Sequence, residues 1–358
     1  MLTIPANWCF IASMAAIAQP SLNALLKATS RSFYLTLRVL PGAVRPQIAL
    51  AYLLARTTDT VADAEILPVD QRLAAMQKLR ERVLGQGTAP LNFSQFVAQQ
   101  GSPAERVLLE RIEDSLALLK TLSPEDLKLV RDVLATITSG QELDLRRFAT
   151  ASADNIVALQ TPADLDDYTY RVAGCVGEFW SKICRTHLFP RAPLDERQFL
   201  MDGIRFGKGL QLVNILRDLP ADLKHGRCYL PRQRLDELKL LPETLFSPVS
   251  AVKFLPFFRE HLDKAEAHLD AGWHYTITLP HSQYRVRLAC AWPILIGIRT
   301  LEKLQKADLL VLREHVKISR AEVRGIIFRS LIACPFPALW RKLHCPAGKA
   351  VASEAELA

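Results

Sequence analysis

Three segments of one form, Ser102-Pro103-Ala104-Glu105, Ser123-Pro124-Glu125-Asp126 and Thr161-Pro162-Ala163-Asp164, constrain the fold of this chain more than any other feature. Each sets a hydroxyl at a helix N-cap, proline at the first helical position and an acid at the third, where its carboxylate reaches back to the cap N–H. Ser319-Arg320-Ala321-Glu322 repeats the box without proline. Asp70 is the expected cap of a helix running to Leu84, ended by the loop Gly85-Gln86-Gly87-Thr88-Ala89-Pro90. Between these starts apolar residues recur at three and four, as in Val107, Leu108, Ile112, Leu116 and Leu119, and no two-residue alternation persists long enough for a sheet strand. The expectation is an all-α, single-domain helical bundle with helices of roughly 14–25 residues and short Pro/Gly loops. Its bounds are set at 26–320, after an apolar, poorly ordered extension over 1–25 and before a basic and apolar helix and tail over 321–358.

Composition narrows the function. With 358 residues and 49% hydrophobic content the chain can bury a large core. The formal charge of +8 is mild for this length, and no basic run is interleaved with aromatics, so nucleic acid is not an expected partner. An anionic small molecule or an anionic membrane surface fits better. The 7 cysteines form no C-x-x-C, which points to free thiols in a reducing cytoplasm, and the dispersed histidines offer no zinc site. Met1 to Gln19 is apolar but lacks the basic start of a signal peptide. No stretch supplies the ~20 apolar residues that span a bilayer. Near the C-terminus, Val323 to Ala333 and Pro335 to Lys342 mix apolar and basic residues. Two readings stay open there: a helix packed on the core, or one lying on the inner face of the cytoplasmic membrane.

Two acidic pairs at helical spacing carry the chemistry. Asp59 and Asp63 continue a stripe begun by Tyr52 and Arg56, at i, i+4, i+7 and i+11. Asp218 and Asp222 continue a stripe of Gln211 and Asn214, with Arg217 beside it. Like charges four apart repel, and a cation would relieve them: Mg²⁺ typically sits between one or two carboxylates and the phosphates of a substrate. The alternative for each pair is a solvated polar face. Pro220 is expected to kink or end the second helix, leaving Asp222 on a distorted last turn. The basic stretch Lys224-His225-Gly226-Arg227 suits an anionic ligand and equally a helix C-terminus.

Between the pairs, Tyr168, Val172, Cys175 and Phe179 share a helical face, while Gly174 and Gly177 admit a second helix closely. The face reads as a core seam, or as a tyrosine placed to move a proton and hold its ring against a cation. Gly203-Ile204-Arg205-Phe206-Gly207-Lys208-Gly209 has neither dinucleotide nor P-loop spacing and is expected to serve close helix packing.

Taken together these motifs resemble the squalene and phytoene synthases, head-to-head prenyltransferases of the isoprenoid-synthase fold with a central active-site cavity. Ser30-Arg31-Ser32-Phe33, the Tyr52–Arg56–Asp59–Asp63 stripe, Tyr168 through Gly177, the run from Gln211 to Asp222, and Gly226-Arg227-Cys228-Tyr229-Leu230-Pro231 stand in the family's order. The resemblance implies condensation of two farnesyl diphosphate molecules to presqualene diphosphate. It implies Mg²⁺ on Asp59, Asp63, Asn214, Asp218 and Asp222. Diphosphate contacts would come from Ser30, Arg31, Ser32, Tyr52, Arg56, Gln211, Asn214, Arg217, Arg227 and Tyr229. Tyr168 would assist proton loss, and Phe33, Leu37, Val172 and Val176 would line the prenyl tunnels.

This sequence departs from many relatives at Thr60 and Ala62, where they carry extra acids, and at Trp292, near a tyrosine that some relatives turn to diphosphate. Glu142 and Asp144 match an acidic segment only loosely. Within the family the D-T-V-A-D form and the Ala291-to-Gly297 helix look most like a bacterial squalene synthase, which would also use NADPH. A phytoene, dehydrosqualene or presqualene diphosphate synthase is the alternative, and a non-catalytic helical protein the more distant one.

Overall fold

The computed structural model describes residues 24–30, 33–99, 101–308, 312 and 316–344. Of the expected site residues, Arg31, Ser32 and the Phe33 side chain lie outside the described residues, as does most of the 1–25 extension. The described chain is helical, with contacts that divide it into two compact units, one reaching Arg38 and covering Gly42–Arg146, the other covering Val39–Pro41 and Arg147 onward.

In the first unit a short helix at 24–29 (α1) is followed by α2 (Phe33–Val39), α3 (Arg45–Ala62), α4 (Val69–Leu84), α5 (Ser94–Gln99), α6 (Pro103–Glu110), α7 (Ile112–Leu119) and α8 (Pro124–Arg147). Helix α3 is the hub and packs on α4, α6 and α7. Its Leu53, Leu54 and Val61 are fully buried, and Gln47 ties it to α8 by donating to Asp126 at 3.0 Å. The periodic run over 107–119 breaks at Arg111 into two helices. Asp70 sits inside the first turn of α4, after Pro68 at the cap position, so the expected cap there is corrected. Gly85 ends α4 as expected, in the left-handed region at φ +78°.

The second unit is built on α11 (Glu196–Lys224), 29 residues long, against α10 (Cys175–Leu188), α13 (Ala251–Thr278) and α14 (Tyr284–Lys306). The α10–α11 crossing is set by glycine: a Cβ on Gly177 would stand 1.8 Å from the Gly203 carbonyl oxygen, and one on Gly207 would stand 2.1 Å from that of Ala173. The glycine-rich run is therefore a packing surface, as expected. Between α9 (Pro162–Thr169) and α10 the chain widens into a π-turn, Tyr170–Gly174. Tyr168, Cys175 and Phe179 of the expected stripe are nonetheless buried and Val172 packs on the core, and the widened turn is the kind of local irregularity that functional helices use.

Two tiny strands, β1 (Val157–Ala158) and β2 (Arg227–Cys228), pair in parallel. Gly226 makes the approach possible: its φ is +77°, and a Cβ there would lie 2.3 Å from Ser152 backbone. Short helix α12 (Arg232–Glu237) follows β2.

Helix α11 does not end at Pro220 but runs through it to Lys224, so Asp222 keeps its helical place four residues after Asp218. Leu216, Leu219 and Leu223 on its inner side are buried. At about 1.5–3 kcal/mol each, their burial outweighs the ~3 kcal/mol that an interior proline costs. The boxes at Thr161 and Ser319 form with both reciprocal bonds, and Ser123 caps α8 by accepting from Asp126 N–H at 3.1 Å. The box at Ser102 does not form, and Glu105 accepts from Arg56.

At the C-terminus α15 (Arg320–Ala333) packs through Ile326, Ser330 and Ala333, and α16 (Pro337–Lys342) through Trp340, which stacks on Trp273. Among the described residues no helix is long and apolar enough to cross a membrane.

Candidate active site

On α3 the expected stripe stands as a continuous helical face. Tyr52 donates its hydroxyl to the Thr29 carbonyl at 3.0 Å, and burial raises its pKa. Ser30, buried, joins Tyr52 in hydrogen bonding and donates its own hydroxyl back to Leu26. Arg56 bonds Glu105 of α6 and stands 3.6 Å from Asp59, too far for a hydrogen bond. Asp59 accepts from the Gln141 amide of α8. Its pKa is raised to about 6, first by desolvation and then by the charge of Asp63. Solvent still reaches 45% of the Asp59 side chain, so crowding around the carboxyl, rather than full enclosure, strips its water. Asp63 caps the C-terminus of α3 and is exposed. Leu37 is buried in the same unit, and Glu142 lies 3.6 Å from Arg80.

On α11 the second stripe is arranged differently. Arg217 donates to both oxygens of Asp218, at 2.8 and 2.5 Å. These bonds, foremost, raise the Arg217 pKa, and the nearby charges of Asp218 and Asp222 add to them against burial. Asn214 is exposed and donates to the Gln211 side-chain oxygen at 3.5 Å. Gln211 donates in turn to the Tyr168 hydroxyl at 3.4 Å. Tyr168, 9% exposed, stacks on Tyr229 with ring centroids 4.7 Å apart, and Phe148 meets Tyr229 edge-on. The acidic helix, the tyrosine helix and the segment around Arg227 and Tyr229 thus meet within one unit. Val172 and Val176 are half-buried, Val172 against the core.

Three features escaped the sequence reading. Glu105 read as a capping acid, and Gln141 carried no motif. Trp292 is buried, donating to Ser330 at 2.9 Å, and so is committed to anchoring α15.

Among the described residues no group of three or more His, Cys, Asp or Glu forms a ready metal cage. Each pair offers two hard carboxylates four residues apart, and at the first pair the charge of Asp63 adds to desolvation in raising the Asp59 pKa. That donor set fits Mg²⁺ shared with substrate phosphates rather than an all-protein site. Among the described residues the two strands are two residues long and introduce no glycine-rich turn into a helix, so no nicotinamide-binding motif is marked.

Residues 26–322 match the family model described as squalene/phytoene synthase. The chain belongs to the squalene/phytoene synthase family. A bifunctional lycopene cyclase/phytoene synthase of Gibberella fujikuroi is 31% identical over 224 residues, covering 62% of this chain and 36% of that protein. The chain therefore spans about a third of the length of that bifunctional relative. The squalene synthase of Saccharomyces cerevisiae is 26% identical over 306 residues, 86% of this chain and 66% of that one. Among solved structures, the complex of TcSQS with the ligand E5700 superposes with a TM-score of 0.71 at 20% identity, over 93% of this chain and 94% of that one. Its likeness gives this family member the all-α fold of the isoprenoid-synthase type.

Proposed function

We propose that the chain is a squalene synthase, joining two farnesyl diphosphate molecules head to head to presqualene diphosphate and reducing that product to squalene. The observation that carries the reading is the family match over 26–322, which includes two D-x-x-x-D pairs, each on an ordered helix with its own arginine. Arg56 and Tyr52 would bind one diphosphate; Arg217, Arg227, Gln211 and Asn214 would bind the other. Mg²⁺ on Asp59, Asp63, Asn214, Asp218 and Asp222 would neutralise the departing diphosphate. Its loss leaves an allylic cation that the double bond of the second farnesyl chain attacks. Loss of a proton then closes the cyclopropane. Tyr168, held by Gln211 and stacked on Tyr229, sits beside the acidic helix where a phenol oxygen can relay that proton. The reductive half, with NADPH, rests on the resemblance alone, and no residue is assigned to it.

Incubation with farnesyl diphosphate and Mg²⁺, with and without NADPH, followed by mass spectrometry, tests both halves. Presqualene diphosphate without NADPH and squalene with it are expected. A C30 polyene made without reductant would overturn the squalene reading.

The same reading has the enzyme working in the cytoplasm against the inner face of the membrane. The outward side of α15 and α16 supports this: Phe328, Leu331, Ile332, Phe336 and Leu339 are exposed, beside exposed Arg324, Arg329, Arg341 and Lys342. Apolar groups flanked by cations suit an anionic lipid surface. Flotation with anionic vesicles is expected to carry the protein up. Unchanged flotation of a triple Phe328→Ser, Leu331→Ser, Ile332→Ser variant would discard the surface.

A further inference from the structure

We propose that Glu105 is a positioning residue that draws Arg56 off Asp59 and so leaves the Asp59 carboxylate available to a divalent cation. The proposal rests on the reading of Asp59 as a metal ligand and adds a residue outside the recognised motifs.

Its first support is local. Ser102-Pro103-Ala104-Glu105 has every element of a capping box, yet Ser102 makes no side-chain cap bond and Glu105 accepts from the Arg56 Nη2 instead. The same sequence form at Thr161 closes both bonds of its box. Where the local partner is given up for a distant one, tertiary structure has chosen the distant one.

The second support is the contrast between the two acidic helices. Arg217, whose salt bridge is to Asp218, grips both of that residue's oxygens. Arg56, with Glu105 to take it, stands 3.6 Å from Asp59. Asp59 is then held from the other side, by the neutral amide of Gln141, which orients the carboxylate without spending its charge. An arginine bonded to a ligand carboxylate competes with the cation for the same lone pairs. Glu105 weakens that competition to an ion pair at 3.6 Å while keeping the guanidinium next to the Asp59 carboxylate. The Arg56 Nε, buried and without a hydrogen-bond partner, fits a side chain pulled into place by its tip.

The test is the cation affinity of Glu105→Gln and Glu105→Ala, read by Mn²⁺ paramagnetic resonance with inorganic pyrophosphate present, alongside steady-state kinetics. In both variants the apparent dissociation constant is expected to rise about tenfold or more, the range for partners that orient metal ligands. At saturating Mg²⁺ kcat is expected to return to within about twofold of the parent, and Glu105→Asp to restore most of the affinity. Glu105→Gln keeps the shape of the side chain, so circular dichroism melting identifies any variant that merely unfolds. Unchanged cation affinity in a folded Glu105→Gln protein overturns the proposal. Loss of kcat that excess Mg²⁺ does not recover does the same. If the parent protein binds no Mn²⁺ with pyrophosphate, or Asp59→Asn binds it equally well, the metal reading itself fails, a result distinct from either.

Discussion

On α3, Arg56 stands 3.6 Å from Asp59 and bonds Glu105, whereas on α11 Arg217 clasps both oxygens of the residue next to it. The two helices carry the same D-x-x-x-D spacing, so spacing does not decide how available a carboxylate is. The charge partner of Asp218 comes from its own sequence neighbour. The surroundings of Asp59 come from α6 and α8, through Glu105 and Gln141. The consequence is electrostatic: Asp59 is pushed up to about 6, by lost water first and by Asp63 second.

The largest expected effect breaks or keeps the functional equivalence of the pairs. Asp59→Asn and Asp218→Asn should each lower kcat/KM for farnesyl diphosphate by about 100-fold or more, the scale of losing a group that stabilises developing charge. Product formation by either variant at the parent rate would end the pairing.

A smaller effect separates the two faces. An unfolded aspartate titrates near 3.9, and folded Asp59 titrates at about 6. Between those values the folded chain holds a proton that the unfolded chain has released. Stability attributable to Asp59 therefore falls as pH rises from about 4 to about 6, and the deficit persists above that. Asp59→Asn should raise the melting temperature of the metal-free protein at pH 7.5 by about 2 °C, modest because the side chain is partly solvated. The gain should vanish at about pH 4. Calorimetric melting that finds an equal gain at both pH values would refute the assignment.

The smallest effect compares the two boxes of like sequence. Thr161→Ala should cost about 1 kcal/mol in denaturant unfolding, while Ser102→Ala, which loses no cap bond, should stay within about 0.3 kcal/mol. A Ser102→Ala cost as large as that of Thr161→Ala would mean that the first box closes after all.

Most of the helices were readable because capping and periodicity act over four residues, within reach of local sequence. The acidic stripes, the tyrosine helix and the glycine packing run were legible for the same reason. The π-turn at Tyr170–Gly174 was not, since no single residue signals a widened turn. Nor was the passage of α11 through Pro220, where buried leucines overrule a local preference. Trp292 bonds Ser330, a partner 38 residues away that the helix pattern leaves unspecified.

By itself the sequence determined that this chain is helical, that Asp59 and Asp63 continue one helical stripe with Tyr52 and Arg56, and that a tyrosine segment stands in order between the two acidic motifs. Those are consequences of short-range stereochemistry. Which carboxylate keeps its charge for a cation, which capping acid abandons its cap, and which tyrosines stack were decided by tertiary structure. Each depends on a partner brought close by folding, and Coulomb and hydrogen-bond terms act only at that closeness.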